Sequence, residues 1–226
     1  GMYQPVPPMP FVYAPFWATL PTFALETPDQ FRVQPMPTLS GSEYAQHYNE
    51  VKLKGAKANS TRTEEETAIA NYWYEFSEVG WNRIATVVAS DKKLDLYHTA
   101  RLMALVNMAL ADSYIAGWDA KFFYNFWRPF TAIRAAATDG NKQTLADANW
   151  EPLLNTPPVQ DYPSTHNILG NAAATVLSGL VGKNTTFTMV SPSAEPGKSS
   201  RTFSSFEQAA IENADSRVFA GLHFRF

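Results

Sequence analysis

Nine of the 16 prolines fall within residues 1–40, and this crowding is the strongest single limit on what the chain can become. Proline locks φ and removes a backbone donor, so the stretch is expected to be extended or irregular rather than helical. It also carries Phe11, Tyr13, Phe16, Trp17, Phe23 and Phe31, more aromatic surface than a free linker usually holds. The expectation is an arm, residues 1–40, wrapped over a body, residues 41–226, with its rings buried. A P-x-x-P ligand for another domain is the competing reading.

Beyond residue 42 the signals are helical. Thr63 and Glu66 make a capping box ahead of residues 67–76. Residues 94–118 are apolar almost all round, at Leu94, Leu102, Leu105, Met108, Ala109 and Ile115, which predicts a central, buried helix. The stretch Lys121 to Trp127 follows, and Pro129 opens a further helical segment toward Ala137. Residues 138–163 read as loop, punctuated by Asp139-Gly140-Asn141 and four prolines. His166 to Val181 is small-residue and apolar, with Gly182 as its stop. Residues 183–204 read as loop with a short strand near Thr185 to Val190, and Phe206 to Phe226 as helix. With no repeat and no alternating strand series, the expected class is all-α, a helical bundle.

Composition narrows the chemistry. At 226 residues, 45% hydrophobic and 17% charged, the body can bury a core without crosslinks. A net charge of −3 with no basic cluster argues against nucleic acid as a main partner. The absence of cysteine excludes disulfides and thiolate sites. Neither H-E-x-x-H nor a carboxylate cluster occurs, so zinc has no support, and no glycine-rich phosphate loop supports a nucleotide. The longest apolar stretch, near Leu102 to Leu110, includes Asn107 and is too short for a bilayer, so no membrane span is expected. Gly1-Met2 looks like a cloning remnant with no signal peptide behind it. A removed export signal stays open, so no compartment is assigned.

Three segments carry reactive side chains. In Lys121 to Pro129, Lys121 and Arg128 are seven apart, so on one helix their directions differ by roughly 20°. Two cations among Phe122, Phe123, Phe126 and Trp127 are costly without an anion. Pro129 disfavours helical geometry at Arg128, which is expected at the helix end. The bland reading is a solvated pair beside a core stripe. In Asp161-Tyr162-Pro163-Ser164-Thr165-His166, Ser164 sits where an N-cap belongs, and a helix N-terminus favours anions. His166 could exchange a proton there; an ordinary Ser cap with an incidental His is the alternative. In Ser216 to Phe226, Arg217 and His223 are six apart, about 120° on an ideal helix. They can flank one ligand more easily if Gly221 distorts the helix; otherwise His223 is a satisfied core residue. Of the other two histidines, His47 is expected to be exposed and His98 structural.

Together these segments resemble the signature of the type 2 phosphatidic acid phosphatase and vanadium-dependent haloperoxidase superfamily. Its ordered motifs are K-x6-R-P, P-S-G-H and S-R-x5-H-x3-D. Lys121 to Pro129 matches the first. Pro163 to His166 matches the second with Thr165 in place of Gly. Ser216 to His223 matches the third as far as Phe226, one residue short of its Asp. The contexts FWRPFTAIR, DYPSTH and SRVFAGLHFRF are similar to the soluble chloroperoxidase-like branch.

The resemblance implies a vanadate or phosphate site. Lys121, Arg128 and Arg217 would neutralise equatorial oxygens, while Ser164 and the backbone of Thr165 would hydrogen-bond them. His223 would be the vanadium ligand or, in a phosphatase, the phosphorylated nucleophile, and His166 the acid–base residue. The implied substrates are hydrogen peroxide and halide, or a phosphomonoester. A catalytically idle oxyanion binder is the third alternative. The motif's Asp would orient His223.

Overall fold

The computed structural model describes residues 1–226. The fold is all-α: seven α-helices and one short two-stranded ribbon. The helices are α1 (Ser42–Lys54), α2 (Glu64–Tyr72), α3 (Ser77–Asp91), α4 (Leu96–Tyr124), α5 (Pro129–Arg134), α6 (Thr165–Val181) and α7 (Phe206–Phe219). Strands β1 (Phe187–Val190) and β2 (Ser200–Phe203) pair antiparallel, Phe187 opposite Phe203, so that both rings face the core. No helix is long and apolar enough to cross a membrane.

Helix boundaries follow local chemistry. Thr63 accepts from the Glu66 N–H, and the Glu66 carboxylate accepts from the Thr63 N–H, closing the capping box that starts α2. Asp95 caps α4 by accepting from the His98 N–H. Gly182, at φ 101°, ends α6. Helix α4 is the spine, packing along α6, while α6 packs in turn on α7. Their contact is filled by Trp81, Leu102, Val106, Leu169, Leu177 and Phe206, each burial stabilising by ~1.5–3 kcal/mol relative to exposure. A second cluster, including Tyr44, Tyr48, Phe126, Ile133 and Phe224, ties α1 and α5 to the C-terminal segment.

Four expectations are corrected. Helix α4 is not buried all round. Its first half rests on the surface, leaving Leu96 at 86% and Tyr97 at 71% exposed, and burial becomes dense only from Leu110 onward. His98 is exposed in the first turn of α4 beside Asp95 and has no core role. His47 is half-buried against Phe226 rather than free in solvent. The fourth concerns the arm, whose rings are not generally buried: Phe11, Phe16, Phe23 and Phe31 are all at least half exposed.

Backbone polarity, more than ring burial, fastens the arm. The N–H groups of Phe23, Ala24 and Leu25 converge on the Asp112 carboxylate of α4, at 2.7–3.1 Å. Of the arm's rings, Tyr3 is buried and Trp17 takes an inward place, edge-on to Tyr114 at 4.6 Å and beside Trp118. One 3-10 turn interrupts the arm at Pro15–Thr19, where Pro15 is pre-set for the first helical position.

Candidate active site

Lys121 lies in the last turn of α4, fully buried. Its Nζ donates to the carbonyls of Gln160 and Asp161, at 2.6 and 2.9 Å. Asn125, at φ 46°, then breaks the helix, and Arg128 is extended at φ −80°, ψ 156° ahead of Pro129. The two cations therefore do not share a helical face as their spacing suggested. The left-handed turn at Asn125 and the steric demand of Pro129 bring Arg128 in from a separate segment. Arg128 donates through Nε to the Val159 carbonyl at 2.7 Å and through Nη1 to the Leu222 carbonyl at 2.9 Å.

Ser164 is the N-cap of α6, yet its side chain caps nothing, and its buried Oγ has no hydrogen-bond partner. Thr165 is the first helical residue and has no left-handed strain, so the branched side chain in place of Gly suits this backbone. His166 is held by the carbonyl of Glu75, 2.9 Å from Nε2. A carbonyl only accepts, so in the neutral ring Nε2 carries the proton and Nδ1 is the basic nitrogen.

The C-terminal segment is not helical through Phe226. Helix α7 stops at Phe219 and Gly221 takes φ 78°. A Cβ there would fall 2.5 Å from the Gly55 carbonyl oxygen, so only glycine fits the approach. The turn is closed by N–H groups of Leu222 and His223 donating to the Arg217 carbonyl, at 3.0 and 3.3 Å. It swings His223 away from the helical direction that put it about 120° from Arg217. Arg217 keeps two buried donors, Nε and Nη1, without a partner.

Six of the seven candidate residues come to one place. Arg128 lowers the proton affinity of Lys121, His166, Arg217 and His223 alike. Ser164, Arg217 and His223 line one small cavity of about 30 Å³. Arg217 and His166 also line a larger one of about 530 Å³, with Phe76, Val79 and Pro157 on its wall. Thr165 enters by its place in the chain between Ser164 and His166. His47 and His98 lie elsewhere.

Burial sets the electrostatics. It holds Lys121 well below the usual ammonium range, reinforced by Arg128, and brings Arg217 down to about 9. It likewise keeps His166 and His223 well below the ordinary imidazole value, helped by Arg217 at the first and Arg128 at the second. Within the site three buried cations face one carboxylate, Asp161, which burial pushes up to about 7 despite the pull of Arg128 and Lys121; the other buried carboxylates, Asp112 and Asp139, are engaged by the arm and by Thr144. Formal charge is in excess by two positives, a state that a low-dielectric interior tolerates poorly without an anion.

Asp161 received no role from the sequence. Its Oδ1 lies 3.0 Å from His223 Nδ1 and 3.7 Å from Arg128 Nη1. The available signal was a carboxylate three residues ahead of Ser164 in a proline-rich loop, which becomes meaningful only once Lys121 and Arg128 are seen beside it.

Comparison with known proteins identifies the family. The VCPO second helical-bundle domain matches residues 101–226, more than half of the chain, and the chain belongs to that vanadium chloroperoxidase family. The vanadium chloroperoxidase of Curvularia inaequalis is 30% identical over 291 aligned positions, taking in 97% of this chain and 47% of the relative. The crystal structure of a bacterial vanadium-dependent iodoperoxidase superposes with a TM-score of 0.84 at 30% identity, covering all of this chain and 56% of that one. An apo bacterial vanadium-dependent chloroperoxidase shares the fold, with a TM-score of 0.78 at 21% identity over 95% of this chain and 52% of the other. The chain thus spans about half the length of the relatives it matches.

Proposed function

We propose that this chain holds the oxyanion site of a vanadium-dependent haloperoxidase, with residues 41–226 as its catalytic body and residues 1–40 as an arm fastened over it. The observation that carries the reading is the set of buried donors lacking protein partners, Ser164 Oγ with Arg217 Nε and Nη1, amid an excess of buried positive charge. Such donors are expensive to bury unless a ligand accepts from them. A tetrahedral oxyanion, vanadate or phosphate, fits that donor set.

Lys121, Arg128 and Arg217 would hold the oxygens by charge, and Ser164 by its hydroxyl. His223 Nε2 faces Arg128 Nη1 at 2.8 Å, and a guanidinium can only donate. Nε2 therefore carries a lone pair, as a ligand atom for vanadium requires. His166 presents Nδ1 as its basic nitrogen and exchanges the proton at the guest. Vanadate, when bound, supplies the oxidation of halide by hydrogen peroxide. The protein's part is to concentrate positive charge, exclude bulk water and move that proton.

The test is halogenation of monochlorodimedone with peroxide and iodide, bromide or chloride, with and without vanadate. Vanadate-dependent turnover is the expected result. Hydrolysis of p-nitrophenyl phosphate without vanadate, and inhibition by it, would instead mark a phosphatase using His223 as nucleophile. If neither reaction runs while phosphate raises the Tm, the chain is an oxyanion binder without chemistry.

A further inference from the structure

We infer that Asp161 is a positioning residue that, with Arg128 on the opposite side of the ring, fixes the tautomer and orientation of His223; as a statement about catalysis, this rests on the oxyanion-site reading above. His223 is 4% exposed, so water cannot freely satisfy its ring. On one side Nε2 accepts from Arg128 Nη1 at 2.8 Å. A neutral imidazole has one N–H, and the guanidinium forces it onto Nδ1. The group facing Nδ1 is the Asp161 carboxylate, with Oδ1 at 3.0 Å, a pair within reach of each other but not aligned as a hydrogen bond. An acceptor oxygen opposite the coordinating nitrogen of a histidine sets which nitrogen keeps its lone pair and stops the ring turning.

The surroundings of Asp161 suit this task. Its backbone N–H donates to the Phe126 carbonyl at 3.0 Å, just past the end of α4. Its own carbonyl accepts from Lys121 Nζ at 2.9 Å. Its carboxylate sits 3.7 Å from Arg128 Nη1, and the nearby Phe224 backbone pulls its proton affinity down. One residue thus joins Lys121, Arg128 and His223, which come from three separate stretches of chain. The third motif draws its orienting carboxylate from four residues beyond the histidine. Here the carboxylate next to Nδ1 comes from the loop before α6.

A competing role for Asp161 is simple counter-charge to Arg128 and Lys121, which would be indifferent to the state of the imidazole. Long-range 1H–15N spectra of histidine-labelled protein separate the two. In the wild type, His223 is expected to carry its proton on Nδ1, with exchange slower than at exposed rings. Asp161→Leu should abolish the slow exchange and weaken phosphate or vanadate binding, read by calorimetry, by about 10- to 100-fold. Asp161→Asn, which keeps an acceptor, should restore slow exchange and most of the affinity.

A proton on Nε2 in the wild type would overturn the inference without any variant. So would Asp161→Leu protein that keeps the slow Nδ1 proton and wild-type affinity. Failure of the wild type to bind phosphate or vanadate at all would strike the oxyanion reading instead, while the tautomer measurement would still decide the part played by Asp161.

Discussion

The guanidinium of Arg128 rests 2.8 Å from the lone pair of His223 Nε2, so a cation guards the atom that would coordinate a guest. Arg128 is also the second cause, after burial, of the low proton affinity of that ring. Substituting Arg128→Met is expected to raise the His223 pKa toward the ordinary imidazole range in a 1H–15N titration. The loss of a charge-assisted donor should weaken phosphate binding by about 10- to 100-fold. An unchanged His223 titration would show that the contact does not govern the ring.

Arg217 separates function from stability. Its Nε and Nη1 are buried and unsatisfied, so as an unliganded residue it costs the fold more than it contributes. Arg217→Met is expected to leave stability in urea unchanged or raised by about 1–3 kcal/mol. Phosphate should no longer raise the Tm. A large loss of stability would show that the arginine is structural.

Thr165 stands where the motif has glycine, yet its backbone is ordinary helix at the first position of α6. Thr165→Gly should therefore improve neither fold nor binding. Expected is a loss of at most about 1 kcal/mol from added chain entropy. A gain in anion affinity of tenfold or more would show that the side chain obstructs the pocket.

The arm hangs on Asp112. Replacing it, Asp112→Ala, leaves the N–H groups of Phe23, Ala24 and Leu25 without their acceptor and should cost about 2–4 kcal/mol. Limited proteolysis should then cut near residues 20–30 well before the body. Equal protection in both proteins would show that the arm is held by something else.

Stability should fall with acidification. His166 and His223 have folded pKa values well below 6.5, so below that pH the unfolded chain binds up to two protons that the folded chain refuses. Asp161 acts oppositely. Raised to about 7, it is protonated in the folded state and ionised in the unfolded one between roughly pH 4 and 7, binding one proton more when folded. Unfolding thus takes up a net proton in that window, and urea midpoints should drop from pH 6.5 to pH 5. Combining His166→Gln with His223→Gln should flatten the slope, because Asp161 would then be opposed only by the half-buried His47. A wild-type midpoint that rose on acidification would refute the neutral imidazoles.

Much of this protein follows from local rules that residues carry wherever they are. Proline crowding kept residues 1–40 out of long helices, the Thr63–Glu66 pair opened α2, Gly182 closed α6, and the spacing of Lys121, Arg128, Ser164, Arg217 and His223 was enough to suggest one oxyanion site. Other features depended on contacts between distant segments, and no local pattern carries those. Asn125 and Pro129 separated Lys121 from Arg128, and the approach of Gly55 to Gly221 turned the chain so that His223 faces Arg128. The exposed rings of the arm and the open face of early α4 show the same limit, since hydrophobicity says that a side chain favours burial but not whether a neighbour is there to bury it. Asp161 is the sharpest instance. In sequence it is one more loop carboxylate, and only the packing of α4, the loop before α6 and the C-terminal turn gives it a charged neighbour and an imidazole to hold.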